Sequence, residues 1–97
     1  MSAYLITQVK ITDPVEFKKY MKAFVAQLES FPGKTVAAVD NVHVLEGEWP
    51  EGRTVIMEFP SKEKALEWYE SREYQEIARI RLRSTEGTMF LVEGLPK

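Results

Sequence analysis

The carboxylate of Glu58 is the side chain of this sequence most able to do chemistry. It lies in the run 53–59, whose β-branched and apolar residues predict a strand. Side chains alternate along a strand, so Glu58 shares a face with Thr54 and Ile56 and opposes Val55. Beside a cleft, Glu58 is a candidate catalytic residue, acting as a general base or orienting a substrate. The alternative is a buried ion pair that fixes how two subunits align.

Two arginines are candidate partners for that carboxylate or for an anionic ligand. Arg53 opens the same predicted strand as Glu58. Arg81 follows Tyr74 and Ala78 at helical spacing, so the three share one helix face. That face is expected to turn inward, where Arg81 could pair with a carboxylate. For Glu58, burial beside the cleft would raise the pKa and a nearby arginine would lower it again. The planar guanidinium fork would suit a carboxylate ligand.

His43, Trp49 and Tyr69 complete the list of candidate ligand-binding residues. His43 is the single histidine, and an imidazole could act as a base or bind heme. Without cysteines or a second histidine, we expect no metal site and no cofactor. Trp49 lies in a polar turn, where it could cap a cleft or anchor a partner subunit. Tyr69 belongs either to the core of a helix or to an aromatic pocket.

The elements that must position these residues follow from periodicity and from turn and capping residues. Asp13, Ser61 and Ser71 are predicted helix caps. A helix follows Asp13 and ends at Pro32-Gly33, and a second runs from Ser61 to Arg83 with a possible break at Ser71. Glu86-Gly87 is predicted as a turn. The predicted strands are 4–11, 34–47 with an irregularity at 40–41, 53–59 and 88–93.

The order β-α-β-β-α-β predicts an α+β fold of the ferredoxin-like kind, in one domain over residues 1–97. Two helices should cover one face of a four-stranded antiparallel sheet. The first strand is apolar on both faces, since Leu5, Val9 and Ile11 oppose Tyr4 and Ile6. The uncovered apolar face predicts a homodimer.

Composition and the missing motifs exclude several classes of protein. There are 13 basic and 15 acidic residues, for a net charge of −2, which disfavours nucleic acid as a partner. No apolar run approaches the length of about 18 residues that a membrane helix needs. The N-terminus does not resemble a signal peptide, so we expect a cytoplasmic protein. No phosphate-binding loop, Rossmann fingerprint or nucleophile elbow is present.

Short motifs spread over nearly the whole chain resemble the domain of unknown function 1330 family. They are Asp13-Pro14, Leu45-Glu46-Gly47 with Trp49, Arg53, Glu58-Phe59, Tyr69-x-Ser71 and Glu73-Tyr74-Gln75. This chain has Pro32-Gly33-Lys34 where that family typically carries a Gly-Gly pair. The resemblance implies the dimeric α+β barrel superfamily, which includes cofactor-free monooxygenases, heme-degrading proteins, isomerases and stress-response proteins. It implies a dimer, and no particular reaction.

Two hypotheses on function follow, with a weaker third. The first is a dimer that binds a small apolar or acidic organic molecule, as a binding protein or a cofactor-free monooxygenase- or isomerase-like enzyme. Its site would lie between sheet and helices, framed by Glu58, Arg53, Trp49, Tyr69 and Arg81. The second is a non-catalytic interaction module, which predicts a closed and filled interior. The third is heme handling, which depends on His43 alone.

Overall fold

A four-stranded antiparallel sheet carries three helices in this computed structural model, which describes residues 1–96. The strands stand in the order β2-β3-β1-β4, with every neighbouring pair antiparallel. This is the predicted ferredoxin-like arrangement, with two consecutive helices in place of the second one. The elements are β1 (Ala3–Ile11), α1 (Pro14–Leu28), β2 (Lys34–Val39), β3 (Arg53–Phe59), α2 (Lys62–Tyr69), α3 (Arg72–Ser84) and β4 (Thr85–Glu93).

Each helix begins at a side chain that satisfies a free backbone N–H of its first turn. The Asp13 carboxylate accepts from the backbone N–H of Glu16 at 3.2 Å. The hydroxyls of Ser61 and Ser71 each accept at 3.1 Å from the backbone N–H three residues later. All three predicted caps are therefore confirmed, and the break at Ser71 divides the second helical region into α2 and α3.

The core fills the space between the helices and one face of the sheet. Trp68 and Tyr74 are fully buried there, with ring centroids 4.0 Å apart. Phe59 packs against Trp68 and against the backbone of Gly33, where a Cβ would lie 2.6 Å from the Phe59 ring. Gly33 is required because the loop after α1 passes directly over that ring.

Two predicted elements are wrong, the long second strand 34–47 and the turn at Glu86-Gly87. The second strand ends at Val39, which pairs with Thr54 near the start of β3, so the residues after it have no strand to pair with. Residues 40–52 form an irregular loop instead. The predicted turn at Glu86-Gly87 is part of β4, because β1 pairs with β4 along its whole length. Gly87 allows β4 to lie close to β1, since a Cβ there would clash with the Gln8 carbonyl.

Within residues 1–96, no helix combines the length and the apolar character needed to cross a membrane.

Candidate ligand-binding cleft

Glu58 lies on the sheet face away from the helices, as alternation predicts. We call this surface the open face. Val55, Met57 and Phe59 contact the core, which leaves Glu58 on the other side of β3. Its Oε1 lies 3.3 Å from the Lys34 Nζ. Because of that ammonium, the pKa of Glu58 is lowered below its ordinary value, and burial opposes this more weakly. Of the two opposing effects expected for the pKa of Glu58, that of the neighbouring cation is the larger, although the cation is Lys34 and not an arginine.

A second contact holds Glu58 in place. Tyr4 stands directly opposite it in the β1–β3 register, and the Tyr4 hydroxyl donates to the Glu58 Oε2 at 3.3 Å. Tyr4, Glu58 and Lys34 thus form a polar cluster that crosses three strands of the open face. The arrangement is that of a structural ion pair, one of the two interpretations of Glu58.

Arg81 lies on the opposite side of the sheet, inside the protein. Its side chain is turned inward with Tyr74 and Ala78, as the helical spacing predicts, and Arg81 is only 8% exposed. Its Nε donates to the Tyr74 hydroxyl at 3.1 Å, and that hydroxyl lies 3.0 Å from the Tyr20 hydroxyl. A guanidinium and two phenols are therefore linked in the interior between α1 and α3.

The buried guanidinium of Arg81 has no acidic partner among residues 1–96. Every salt bridge within 4.0 Å involves other basic residues. Glu58 is on the other face of the sheet, so the two side chains cannot form the ion pair that the sequence left open. Burying a charge without a counter-charge is costly, which makes Arg81 the most informative residue of the interior.

A narrow cleft of about 50 Å³ lies beside Arg81, between the sheet and α1. Arg81 is its single charged lining residue in the part of the chain that the structure describes, and Tyr20 contributes a hydroxyl. The other walls are apolar or carry a threonine: Leu5, Thr7, Val9, Phe17, Met21, Phe24, Thr35, Ala38, Val55, Met57, Trp68 and Met89.

A second cavity of about 250 Å³ adjoins this cleft beneath α2. Tyr69 lines it and is partly exposed at the end of α2. Leu5 and Met89 line both spaces, so the two spaces adjoin at these side chains. A methionine is flexible and adapts its shape, so a change of Met89 rotamer would enlarge the cleft toward Tyr69.

Tyr20 remains a protonated phenol in this setting. Burial, and to a smaller extent Tyr74, raise the pKa of Tyr20 far above its ordinary value, while the nearby Arg81 charge lowers it by less. The Tyr20 hydroxyl therefore keeps its hydrogen and can donate it. On the sequence alone, Tyr20 is a core residue of the first helix; the signal for its role is that a buried tyrosine hydroxyl needs a partner.

Trp49 covers the open face and does not reach the cleft. Its indole Nε1 donates to the Thr54 hydroxyl at 3.1 Å, and Thr54 belongs to the open face of β3. Next to it, the Gln8 amide donates to the Glu51 carbonyl at 2.7 Å. The loop 40–52 is tied down at this end of the open face, which explains why Gln8 and Thr54 are buried.

Arg53 and His43 also lie apart from the cleft. The Arg53 guanidinium is 3.5 Å from Asp40, where β2 ends and β3 begins. His43 is exposed in the loop 40–52, beside a shallow depression that Trp49 shares. Within residues 1–96, no three histidine, cysteine or acidic side chains come together as they would to hold a metal. The structure does not bring the five predicted residues around one cleft: Arg81 lines it, and Tyr69 lines its neighbour.

The fold and the interior cleft define a ferredoxin-like α+β protein with helices on one face of the sheet. The chain belongs to the family described as domain of unknown function (DUF1330), whose model matches residues 2–95. This finding confirms the resemblance seen in the sequence. No curated protein sequence matches the chain.

Solved structures share this fold at low sequence identity. A protein of unknown function from Rhodopseudomonas palustris is 16% identical, with a TM-score of 0.77 over 99% of this chain and 84% of its own. SnoaB, a cofactor-independent oxygenase from Streptomyces nogalater, is 11% identical, with a TM-score of 0.66 over 99% and 95%. A dimeric ferredoxin-like protein from Bacteroides fragilis is 14% identical, with a TM-score of 0.65 over 94% and 92%.

Proposed function

We propose that this protein works as a homodimer in which each subunit binds a small organic molecule in the cleft between its sheet and α1. The observation that carries the proposal is Arg81, a buried guanidinium beside an apolar cleft with no acidic partner among residues 1–96. A purely structural interior would gain stability from an apolar side chain at that position. A ligand with complementary charge would compensate the cost that Arg81 imposes.

The dimer part of the proposal comes from the open face. Phe90 and Val92 of β4 point there and are 60% and 44% exposed. Ile6 and Ile56 continue the same apolar strip across β1 and β3, since Ile6 pairs with both Ile56 and Phe90. A surface of this kind is usually an interface, and a two-fold axis would cover it with its own copy. The dimeric relative from Bacteroides fragilis supports this proposal.

The role we propose for Glu58 is in the dimer interface. Its cluster with Lys34 and Tyr4 stands on the open face, at the margin of the apolar strip. A polar cluster there would fix the alignment of two sheets more than it would add affinity. Because Glu58 cannot reach the cleft of its own subunit, it is not the base for any reaction there.

The size of the cleft sets a condition on ligand binding. A volume of about 50 Å³ holds a few atoms, so a larger molecule must displace side chains. Met21, Met57 and Met89 line the cleft, and methionines change rotamer at low cost. The adjoining cavity beside Met89 supplies further room. The proposed ligand is thus an aromatic or short aliphatic molecule.

The same small volume favours a second candidate function, a dimeric interaction module without a ligand. In that case the cleft is a packing defect and Arg81 is solvated only by water. The first candidate, a ligand-binding protein, has a precedent in SnoaB, a cofactor-independent oxygenase with this fold. The two candidates therefore differ in one property: whether small organic molecules enter the cleft.

A thermal-shift screen against benzoate, phenol and benzoquinone tests the proposal. Thr35 and Ala38 are exposed at the β2 side of the cleft, so Ala38→Trp should obstruct its mouth without disturbing the core. Val25→Trp places the same bulk on the exposed side of α1 and is the matched control. We expect a probe to stabilise the wild type and Val25→Trp but not Ala38→Trp. Equal stabilisation of all three proteins, or of none, would contradict ligand binding in the cleft.

A further inference from the structure

Arg81, Tyr74 and Tyr20 are joined by consecutive hydrogen bonds beside the cleft. The Arg81 Nε carries a hydrogen and has no acceptor capacity, so the Tyr74 oxygen accepts. The Tyr74 and Tyr20 oxygens are 3.0 Å apart, and either hydroxyl can donate to the other, since the Tyr74 oxygen can accept a second hydrogen bond. In the arrangement in which Tyr74 donates, the Tyr20 hydroxyl hydrogen is free. Tyr20 lines the cleft and Tyr74 does not, so in that arrangement Tyr20 presents a donor to the cleft.

The two terminal nitrogens of Arg81 are further donors. A guanidinium has five N–H groups, of which the Nε–H is bound to Tyr74. Among residues 1–96, the bond from Nε to Tyr74 is the only side-chain hydrogen bond of Arg81 with good geometry, and a weaker interaction with the Tyr20 hydroxyl lowers the pKa of that phenol. The terminal nitrogens belong to a side chain that is more than nine-tenths buried and that lines the cleft. These nitrogens are not among the enclosed polar atoms of residues 1–96 that lack a partner, so they retain some access to solvent and present a positively charged fork beside an apolar space.

We infer that the cleft binds a small organic monocarboxylate with a flat apolar body, whose carboxylate receives the Arg81 terminal N–H groups and the Tyr20 hydroxyl. The inference rests on the proposed function and names its ligand class. A guanidinium fork matches a carboxylate by two parallel hydrogen bonds. One basic residue in the lining balances one negative charge, which disfavours dianions such as phosphate monoesters.

The remaining walls select the body of the ligand. Phe17, Phe24 and Trp68 present aromatic surface to the cleft, and Met21 and Met89 present deformable thioethers. Flat rings pack well between such side chains. A hydroxyl-rich ligand would leave its polar groups unpaired there, because Thr7 and Thr35 are the only other lining side chains with hydroxyls within residues 1–96.

The test compares benzoate with benzamide, which has nearly the same shape and no charge. Affinities for the wild type are measured by NMR titration, with the Arg81 Nε–H resonance observed directly. We expect benzoate to bind about tenfold or more tightly than benzamide, because hydrogen bonds to charged groups are the stronger ones. The Arg81 resonance should shift with benzoate. Tyr20→Phe should weaken benzoate binding several-fold while it keeps the bond between Arg81 and Tyr74.

Two arginine variants provide the comparison. Arg81→Gln should abolish the preference for benzoate, and Arg81→Lys should reduce it by removing the fork. Arg83→Gln alters an exposed arginine that pairs with Glu16 at 2.9 Å and should leave the preference intact. Equal binding of benzoate and benzamide to the wild type would overturn the carboxylate inference while the proposed function stands. Binding of neither probe would overturn both, and the wild-type comparison does not depend on any variant folding.

Discussion

The guanidinium of Arg81 donates its Nε–H to the hydroxyl of Tyr74 at 3.1 Å in the protein interior, with no carboxylate of residues 1–96 within 4.0 Å. We expect Arg81→Met to raise the free energy of unfolding by about 1 kcal/mol, because an apolar side chain of similar length removes an uncompensated buried charge. Urea denaturation measures the change. Arg83→Met, at an exposed ion pair, should alter it by less than about 1 kcal/mol. A loss above about 2 kcal/mol for Arg81→Met would identify Arg81 as a structural residue.

The apolar strip of the open face predicts how the dimer can be broken. Phe90→Glu places a charge where the proposed two-fold axis brings two sheets together, so we expect a folded monomer. Leu82→Glu is the control, since Leu82 is similarly exposed but lies on α3, away from the open face. Analytical ultracentrifugation at micromolar concentration separates the outcomes. A wild-type monomer, or a dimer that survives Phe90→Glu unchanged, would contradict this interface.

The Lys34–Glu58 ion pair predicts a pH dependence of stability. The pKa of Glu58 is lowered in the folded protein, so the folded state binds that proton less tightly than the unfolded chain. Its stabilisation is complete above the ordinary pKa of 4.5 and disappears as the pH falls through the lowered value. Glu58→Gln should therefore be less stable than the wild type near neutral pH and equal to it in strong acid. A constant difference across the acid range would show that the charge of Glu58 is not involved.

The loop 40–52 depends on the backbone at Gly52. Gly52 has a φ of 127°, and a Cβ there would clash with the Val9 carbonyl of β1. We expect Gly52→Ala to cost about 2 to 3 kcal/mol, from backbone strain together with displacement of the loop. Gly47 also has a positive φ, of 79°, but a Cβ there would meet nothing within 4 Å. Gly47→Ala should cost only about 1 kcal/mol, and similar losses for both variants in urea denaturation would contradict the packing argument.

Local patterns predicted most of the fold. Asp13, Ser61 and Ser71 each cap a helix because the oxygen of a short polar side chain can accept from a free backbone N–H of the first turn. The alternation of side chains along a strand predicted that Glu58 lies on the open face. The 3.6-residue helical period predicted that Arg81 points inward. Turn residues gave a wrong prediction at Gly87, because strand pairing determines the structure there. Gly87 lies within β4, which β1 pairs along its whole length.

The candidate site was predicted only in part, because alternation gives the face of a residue but not which faces enclose a cavity. The face on which each of Glu58 and Arg81 lies was predicted correctly. Their proximity was not, since the sheet separates the two side chains. Trp49 could not be placed because its position depends on a hydrogen bond to Thr54 across an irregular loop. Tyr20 and Tyr74 lie on two helices and are 54 residues apart in sequence, and no local sequence pattern predicts the hydrogen bond between them.

The most direct test of the cleft is the methyl NMR spectrum of the protein with labelled methionines, titrated with benzoate. Met21, Met57 and Met89 line the cleft, while Met1 is exposed and takes no part in it, so the protein contains its own control. If benzoate enters the cleft, the three cleft methyl signals shift together with one saturation curve while the Met1 signal stays in place. Unchanged signals from all three cleft methionines at millimolar benzoate would contradict binding in the cleft.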